Sequence, residues 1–400
     1  MSSPFITRVT LRNFKNISYC DVALGPLTFL VGPNGSGKSN FIDALHFVKD
    51  AIQVSLDHAF RQRDGVLKVL PVFAAPGETL GIRLDFRLEH SRGYYAFLVQ
   101  GTKGGGYTVD REECVLTSDT TFSAGSYFRV VRGQVDTNIV ELIRLPEGTP
   151  HELAIRKAGS WSGQLEGLVN ALLGMNFYNP QPEALRDLAD MAEQADFLLG
   201  TGRNAASVLR RLARQNPEGV SRINEYLARI VPTVAEVRTT SVARRETAEF
   251  LGLGDGTRPL YAASMSTGTL RVLAILVSLF QTPATSDTPL TLTAIEEPEA
   301  TVHPAAAGVL LDALKEASEF RQVIATSHSP DLLDDKHLDP SSILAVEVVD
   351  GESRIGSLDE VSASVLRDRL TTPGGLLRVG EMHPDASTPP PGSDSLFSER

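Results

Sequence analysis

A glycine-rich loop between an apolar run and a helical pattern restricts the fold of this chain more than any other stretch. The run Leu27–Val31 predicts a short buried strand. It leads into Gly32-Pro-Asn-Gly-Ser-Gly-Lys-Ser39, which matches the pattern G-x-x-x-x-G-K-[ST]. Apolar residues then recur at helical spacing from Phe41 to Val48. A strand, a glycine loop and a helix in this order predict an α/β fold built around a nucleotide site.

Each residue type in this loop suits the binding of phosphate. Glycines permit torsions that turn successive backbone N–H groups inward, and the start of the helix adds a positive partial charge. We expect Lys38 to reach the β- and γ-phosphates of ATP and the Ser39 hydroxyl to bind Mg²⁺. The residues predicted to bind ATP here are Gly32, Pro33, Asn34, Gly35, Ser36, Gly37, Lys38, Ser39 and Asn40.

A second predicted strand, Thr291–Ile295, ends in two adjacent carboxylates, Glu296 and Glu297. In P-loop ATPases the acid that closes such a strand holds Mg²⁺, and a following glutamate polarises the attacking water. Neighbouring strand residues point in different directions, so we assign Glu296 to Mg²⁺ and Glu297 to the general base. Alone, such a pair is more often an acidic cap on a core strand. The loop at 32–39 favours the catalytic interpretation.

Two further stretches suit contact with a γ-phosphate. The strand predicted at 321–326 is followed by His328, which can donate to the γ-phosphate and register its presence. Ser266 and Gly268 directly precede an apolar helix, where small hydroxyls and glycine form an anion-binding terminus. The same residues also make an ordinary helix cap, and that alternative stays open.

Composition excludes some classes of protein and leaves others open. Four hundred residues predict two or three structural units, and 42% hydrophobic with 22% charged residues is ordinary for a soluble protein. Two cysteines without metal spacing, no signal pattern and no long apolar run predict a cytoplasmic protein outside the membrane. A net charge of −11 argues against general nucleic-acid binding. Local basic clusters leave a DNA contact open, at Arg210, Arg211, Arg214, Arg244 and Arg245.

Changes of pattern divide the chain into four predicted parts. Residues 1–150 carry the glycine loop and an antiparallel β subdomain, and residues 151–235 form a helical lobe. Residues 236–370 carry the helix start at 266, the acidic strand and His328, and residues 371–400 form a disordered tail. Within the first part, 58–69 is predicted to be irregular, and Tyr107–Asp110 and Cys114–Thr117 are predicted as separate strands.

Taken together, these motifs resemble an ABC-type ATPase of the SMC, RecF and OLD-like group, and most closely its stand-alone bacterial "AAA family" members. The resemblance rests on ITRVTLRNFKNI at 6–17, the glycine loop, Ser-x-Gly-Thr at 266–269, IEEPE at 295–299 with His303-Pro304, and ATSHSP at 325–330. It implies a P-loop NTPase fold with an ABC-type ATPase head, made of a mixed sheet, an antiparallel β subdomain and a small helical lobe. The chain departs from SMC proteins in having no long coiled coil. It departs from OLD-like nucleases because only about fifty residues follow Val349, too few for a toprim domain.

The resemblance also implies a mechanism. Two heads would form a homodimer on ATP and enclose two ATP molecules, each bound by one head's 32–39 loop and by the other head's Ser266 and Gly268. His303 would lie in a loop that faces the opposite head. A lid glutamine is also expected, either Gln134 or Gln53.

We therefore predict a cytoplasmic, Mg²⁺-dependent ATPase that converts ATP and water to ADP and phosphate. By analogy with the group, its dimer would regulate a separate nuclease-like or toxin-like effector, in anti-phage defence or DNA maintenance. The alternative is a RecF-like DNA-binding clamp in DNA repair. A transporter subunit fits the signature stretch poorly, and a small-molecule kinase would not need the elements at 264–271 and 326–330.

Overall fold

The computed structural model describes residues 5–70, 79–102, 105–119, 125–139, 142, 151–190, 197–242, 245–252, 258–283, 289–385 and 396–397. Its strands are β1 (Ile6–Phe14), β2 (Ile17–Ala23), β3 (Leu27–Val31), β4 (Thr79–Arg87), β5 (Ser91–Gly101), β6 (Tyr107–Ser118), β7 (Ser126–Val131), β8 (Gln134–Thr137), β9 (Met175–Tyr178), β10 (Ala189–Asp190), β11 (Val234–Val242), β12 (Arg245–Gly252), β13 (Leu260–Tyr261), β14 (Leu292–Glu296), β15 (Gln322–Ser327), β16 (Ile343–Val349) and β17 (Glu352–Ser357). Its helices are α1 (Lys38–Gln53), α2 (Leu56–Arg61), α3 (Val66–Val69), α4 (Ile155–Trp161), α5 (Gly163–Leu173), α6 (Pro182–Arg186), α7 (Ala205–Gln215), α8 (Pro217–Ile230), α9 (Thr267–Phe280), α10 (Ala307–Ser318), α11 (Glu360–Arg367) and α12 (Pro373–Val379).

The chain divides into two compact units. The glycine-loop unit contains β3 and α1 and is made of Ser3–Met175, Asp339–Arg367 and Met382–Arg400. The acidic-strand unit contains β14 and is made of Met1–Ser2, Asn176–Leu338 and Asp368–Glu381. The four-part division of the sequence stays a prediction.

The glycine-loop unit combines an antiparallel sheet with strands of mixed direction. Seven strands pair antiparallel in the order β2-β1-β4-β5-β6-β7-β8. A second set has the order β17-β16-β3, in which β3 is parallel to β16 and β17 is antiparallel to it. All five residues of β3 are buried, as its continuous apolar run predicts. The glycine loop therefore starts from a fixed strand end.

The buried face of α1 fixes the other end of the loop. Phe41, Leu45 and Val48 are buried, and α1 contacts α2, α4, α5 and β1. The Phe47 ring lies 5.9 Å from that of Phe14, with the two rings edge to face. The helix therefore cannot shift along its axis without breaking this packing.

In the acidic-strand unit, α9 is the central helix. It is buried from Thr269 to Phe280 and contacts β14, α6, α7, α8 and α10, which explains why it is apolar on every side. Strands β14 and β15 are parallel, in the order β15-β14-β9, and their carboxyl ends carry Glu296 and Ser327. A small antiparallel sheet has the order β10-β12-β11, with β13 paired to β12. The predicted α/β class, with a mixed sheet and an antiparallel β subdomain, is confirmed.

Three local predictions are wrong. The segment 58–69 is not irregular, because α2 and α3 occupy most of it, and Ser55 caps α2 by accepting from the His58 N–H. The strands predicted at 107–110 and 114–117 are one strand, β6, whose register against β5 shifts at Asp110. The apolar–polar alternation of the sequence is interrupted at this register shift, and no turn divides the strand in two.

The third wrong prediction concerns the tail. Residues 371–385 include α12 and a β-bridge between Leu358 and Pro384, so disorder does not begin at 371. Thr372 caps α12, and its proline at the first helical position favours the helix. Residues 386–395 and 398–400 lie outside the described residues.

Glu112 of β6 is a fully buried carboxylate that binds the start of α4. It accepts hydrogen bonds from the backbone N–H groups of Ala154 at 2.5 Å and Ile155 at 2.9 Å, and from the Tyr95 hydroxyl at 2.9 Å. Burial raises the pKa of Glu112 to about 7, because the hydrogen bonds offset only part of the loss of hydration.

This carboxyl predicts a pH-dependent stability. Its pKa in the folded state lies above the unfolded value of about 4.3, so the folded state holds the proton more tightly. The resulting stability is complete below about pH 4.3 and is lost as pH rises through about 7, by up to about 3 kcal/mol. We expect the free energy of unfolding in urea to fall more steeply between about pH 5 and about pH 8 in the wild type than in Glu112→Gln.

Glu113→Gln is the matched control. Arg129 and Arg111 bind the Glu113 carboxylate and hold its pKa below the usual value, so its titration lies outside that window. The control is expected to keep the wild-type slope. Identical slopes for Glu112→Gln and the wild type would contradict the assignment.

Candidate nucleotide site

The glycine loop encloses the ammonium of Lys38, the first residue of α1. This side chain is 5% exposed, and its Nζ donates to the carbonyls of Gly32 and Pro33, each at 2.8 Å. A buried ammonium requires oxygen partners, and here the loop backbone supplies them. The charge predicted to bind phosphate thus lies inside the loop.

Two distant segments hold the outside of the loop. The Ser353 hydroxyl of β17 donates to the Ser36 carbonyl at 2.5 Å, and its backbone N–H donates to the Asn16 carbonyl at 2.7 Å. The Asn40 amide donates to the Asn16 side-chain oxygen at 2.6 Å. Gly37 has a φ of 103°, and a Cβ there would lie 2.0 Å from the Ser353 hydroxyl. Glycine is therefore required at 37 by both torsion and space.

The remaining groups of the loop fit a bound phosphate and Mg²⁺. The Ser36 hydroxyl is buried and makes no hydrogen bond to any residue that the structure describes. Pro33, Gly35 and Ser39 are exposed, and Ser39 lies in the first turn of α1. Mg²⁺ in phosphate-transfer sites commonly takes one or two protein ligands beside phosphate and water, and the Ser39 hydroxyl is a suitable oxygen ligand. Binding of ATP by Asn40 stays a prediction, since its amide is bonded to Asn16 here.

At the end of β14, the structure brings two predicted catalytic residues together. Glu296 is the last residue of the strand and is half-buried. Glu297 follows in the left-handed region, with a φ of 44°, and its N–H donates to the Thr326 hydroxyl at 3.1 Å. Its Oε1 lies 3.4 Å from His328 Nδ1, and both side chains are partly open to solvent. A carboxylate and a histidine thus lie side by side where β14 and β15 end.

Arg271 of α9 supports this corner, and the sequence analysis did not assign it. The residue is 9% exposed, and its Nη2 donates to the carbonyls of Glu296 at 2.9 Å and Glu297 at 3.2 Å, while Nη1 donates to Pro180 O at 2.7 Å. Burial lowers the pKa of its guanidinium. The only signal in the sequence was an arginine within an otherwise apolar helix.

Glu299 is a second residue that the sequence analysis missed. Its Oε1 accepts from the Ser327 hydroxyl at 2.6 Å and from the His328 N–H at 3.3 Å. Its Oε2 is buried without a hydrogen-bond partner among the described residues, and burial raises its pKa. The carboxylate therefore fixes the backbone that carries His328. The third glutamate of EEPE was the available signal.

The start of α9 has the geometry of a capped helix that faces solvent. The Ser266 hydroxyl accepts from the Thr269 N–H at 3.2 Å, so Ser266 is a helix cap in the structure. Ser266 and Thr267 are exposed, while Gly268 packs against the Thr301 backbone. Contact of Ser266 and Gly268 with a γ-phosphate stays a prediction. His303 is also exposed, and its ring accepts from the Ala305 N–H at 3.2 Å.

The structure removes one of the two lid candidates. Gln53 is the last residue of α1, about 22 Å along the helix from Lys38, so it cannot cover phosphates bound at the loop. Gln134 is exposed at the start of β8 and stays a prediction.

Two arginines of the basic clusters have partners within the chain. Arg210 pairs with the buried carboxylate of Glu246 at 2.7 Å, and Arg211 donates to the Thr282 carbonyl at 3.0 Å. Arg244 lies outside the described residues. These contacts leave less charge for a nucleic acid than the sequence suggested. Within the described part of the chain, the helices are all too short or too polar to cross a membrane.

The fold and the glycine loop define a P-loop NTPase domain. The chain belongs to the family described as "AAA domain, putative AbiEii toxin, Type IV TA system", whose profile matches residues 27–334. Membership of a P-loop ATPase family implies nucleotide binding.

Known proteins are similar to the chain over different lengths. The DNA replication and repair protein RecF of Vibrio vulnificus (strain YJ016) is 43% identical over 44 residues, which is 11% of this chain and 12% of RecF. RecF of Magnetococcus marinus is 28% identical over 216 residues, 52% of this chain and 53% of that protein. The chain thus spans about half or less of the length of these curated relatives. The crystal structure of an SmcHead bound to the C-winged helix domain of ScpA shares the fold, with a TM-score of 0.53 at 18% identity, and the match covers 90% of this chain and 100% of that chain.

Gly37→Ala tests the geometry of the loop. A Cβ at this position meets the Ser353 hydroxyl, so the loop must shift, and we expect affinity for a fluorescent ATP analogue to fall about tenfold or more. Gly308→Ala on α10 is the control, because a Cβ there has no atom within 4 Å. Thermal unfolding of both variants separates a local effect from a loss of folding. Unchanged affinity in folded Gly37→Ala would show that the loop does not bind the phosphates.

Proposed function

We propose that this chain hydrolyses ATP, that two copies close on ATP, and that the closed dimer controls a separate effector protein. The observation that carries the proposal is the 3.4 Å approach of His328 to Glu297, at the ends of two neighbouring parallel strands. Carboxyl ends of parallel strands are where ligands bind in α/β proteins, and a carboxylate beside a histidine suits proton transfer from water.

Each predicted residue has one task in this proposal. Lys38 and the backbone N–H groups of the loop bind the β- and γ-phosphates, with Lys38 exchanging carbonyl partners for phosphate oxygens. Ser39 and Glu296 hold Mg²⁺, which supplies neutralising charge at the phosphates when bound. Glu297 accepts the proton of the attacking water, and His328 donates to the γ-phosphate.

The exposed start of α9 supports the proposed dimer closure. Ser266 and Thr267 face solvent at the N-terminus of a helix that is buried from Thr269 onward, so a phosphate on a second copy can approach a fixed positive end. Contacts that require the γ-phosphate stabilise only the closed state, so hydrolysis removes them and opens the dimer.

The effector is inferred from the family description and from a structural neighbour. The family description names a toxin of a toxin–antitoxin system, and an SmcHead of the same fold is crystallised with a winged-helix domain. A nuclease-like or toxin-like partner in anti-phage defence or DNA maintenance fits an ATP-driven switch.

We place the protein in the cytoplasm, where thiols such as the buried Cys20 and Cys114 stay reduced.

The similarity to RecF favours one second candidate, a DNA-binding clamp in repair. A net charge of −11 and the internal pairing of Arg210 and Arg211 count against it. Stimulation of ATP hydrolysis by duplex DNA, weakening as salt rises, would support the clamp over the effector switch.

Glu297→Gln tests the switch by light scattering with and without Mg-ATP. The amide cannot accept the proton of water, so ATP should bind without turning over and the dimer should accumulate. We expect the molar mass to double on addition of Mg-ATP. Glu319→Gln, at an exposed glutamate after α10, is the control and should hydrolyse ATP as the wild type does. A monomer in the presence of bound ATP would rule out closure between two copies alone.

A mixture of two inactive variants tests the shared site. Ser266→Arg should bind ATP through its own loop but block the facing site, and Glu297→Gln should bind ATP without hydrolysis. In a mixed dimer, the loop and base of the Ser266→Arg copy meet the intact Ser266 of the other copy, so one complete site forms. We expect the mixture to recover about a quarter to a half of wild-type activity. Activity no greater than that of the separate variants would contradict a site shared between copies.

A further inference from the structure

Leu396 and Phe397 occupy an apolar groove on one face of the seven-stranded sheet. They are 1% and 6% exposed and form one cluster with Tyr94 and Ala96 of β5. Leu98 and Val115 pack at the edge of this cluster. We call this surface the Leu-Phe groove. All of these residues belong to the glycine-loop unit.

The groove recognises its two residues by shape. Gly81 of β4 lies directly under Leu396, and a Cβ there would be 2.3 Å from Leu396 Cδ1, so the missing side chain makes room for the leucine. The Arg111 guanidinium lies 3.8 Å from the centroid of the Phe397 ring, a cation–π contact. The two adjacent apolar side chains are therefore bound at two different positions of the groove.

A backbone contact adds directional recognition. Arg83 Nη1 donates to the Leu396 carbonyl at 3.2 Å, and the same guanidinium stacks at 3.9 Å on the Tyr94 ring. Arg83 is also held by Asp85 at 2.8 Å, and Arg111 by Glu113 at 2.7 Å. Both arginines are thus positioned by acids of the sheet itself, independently of the residues that they contact. This is the arrangement of a preorganised binding surface.

The chemistry of this groove is that of a short peptide site. Aromatic and arginine side chains around a small desolvated centre are typical of the residues that dominate protein interfaces. Burial of a leucine and a phenylalanine side chain contributes enough to hold a short segment, and no regular secondary structure in the segment is needed. The contacts use two side chains and one carbonyl, which another chain carrying Leu-Phe can also offer.

We propose that the Leu-Phe groove is a peptide-docking site whose occupant is the Leu396–Phe397 segment of this protein, bound from the same chain in the structure and able to bind from a second copy. While the segment is bound in the same chain, it closes the groove to a motif of the same chemistry on another molecule. This inference is independent of the proposed ATPase cycle, since it uses no residue of the nucleotide site.

A labelled peptide tests the proposal. The probe is a fluorescein-labelled peptide of residues 391–400, PGSDSLFSER, and its binding to the full chain is followed by fluorescence anisotropy. The double variant Leu396→Ser with Phe397→Ser frees the groove, and we expect it to bind the probe about tenfold or more tightly than the wild type, whose tethered segment competes. A probe with serine at both positions should not bind.

Two further variants define the result. In the double-variant background, Arg111→Ala should weaken probe binding about fivefold or more, while Arg132→Ala, an exposed arginine on the turn after β7, should not change it. If the double variant does not fold, Phe397→Ala alone replaces it and should bind more tightly than the wild type. The proposal would be overturned if the double variant bound the probe no more tightly than the wild type. It would also be overturned if the serine probe bound as well as the Leu-Phe probe.

Discussion

Two buried cations, one in each unit, are bonded to backbone carbonyls beside the candidate residues. The ammonium of Lys38 is bonded to the carbonyls of Gly32 and Pro33, and the guanidinium of Arg271 is bonded to those of Glu296 and Glu297. A cation taken out of water needs such acceptors, because an unpaired buried charge is strongly destabilising. Each cation therefore fixes the polypeptide immediately after a buried strand. Lys38 and Glu297 depend directly on these bonds, while Glu299 fixes the backbone of His328.

The two cations differ in what can replace their partners. Lys38 has three N–H donors on a flexible stem at the edge of a loop whose Ser36 hydroxyl is also buried and unpaired among the described residues. Phosphate oxygens can therefore take over its bonds. Arg271 has a rigid fork that also binds the Pro180 carbonyl, so it holds backbone segments together rather than a ligand. Lys38 thus suits the binding of a phosphate, whereas Arg271 suits a structural role at the end of β14.

Local patterns made the glycine loop predictable, because its function depends on residues that are consecutive in sequence. Glu297 and His328 could also be paired from sequence, since the ends of adjacent parallel strands meet at one edge of a sheet. Ser353 could not be found, because its hydroxyl reaches the loop from more than three hundred residues away. Gln53 was a wrong candidate because only the full length of α1 shows how far it lies from the loop.

Composition was misleading where a few contacts outweigh many polar residues. The stretch beyond 371 is rich in Pro, Ser, Gly and Asp and predicts disorder. Leu396 and Phe397 are nevertheless buried, because each of them packs against the sheet in the Leu-Phe groove. Composition reports the average cost of ordering a segment, whereas two well-matched side chains can offset that cost at one point. Such contacts join residues that are distant in sequence, so they produce no periodic pattern in the amino-acid sequence.

The backbone strain at Glu297 favours the proposed general base over a plain acidic cap. A non-glycine residue at a φ of 44° costs on the order of 1 kcal/mol, and it persists only when its surroundings impose it. Here Thr326 accepts from its N–H, and Arg271 donates to its carbonyl, so both ends of the residue are fixed. A cap would need neither the strain nor the two supports, because an exposed carboxylate can reach water from an ordinary torsion. In this conformation the Glu297 carboxylate lies 3.4 Å from His328 Nδ1, a position that suits the base that we propose to act on a bound water.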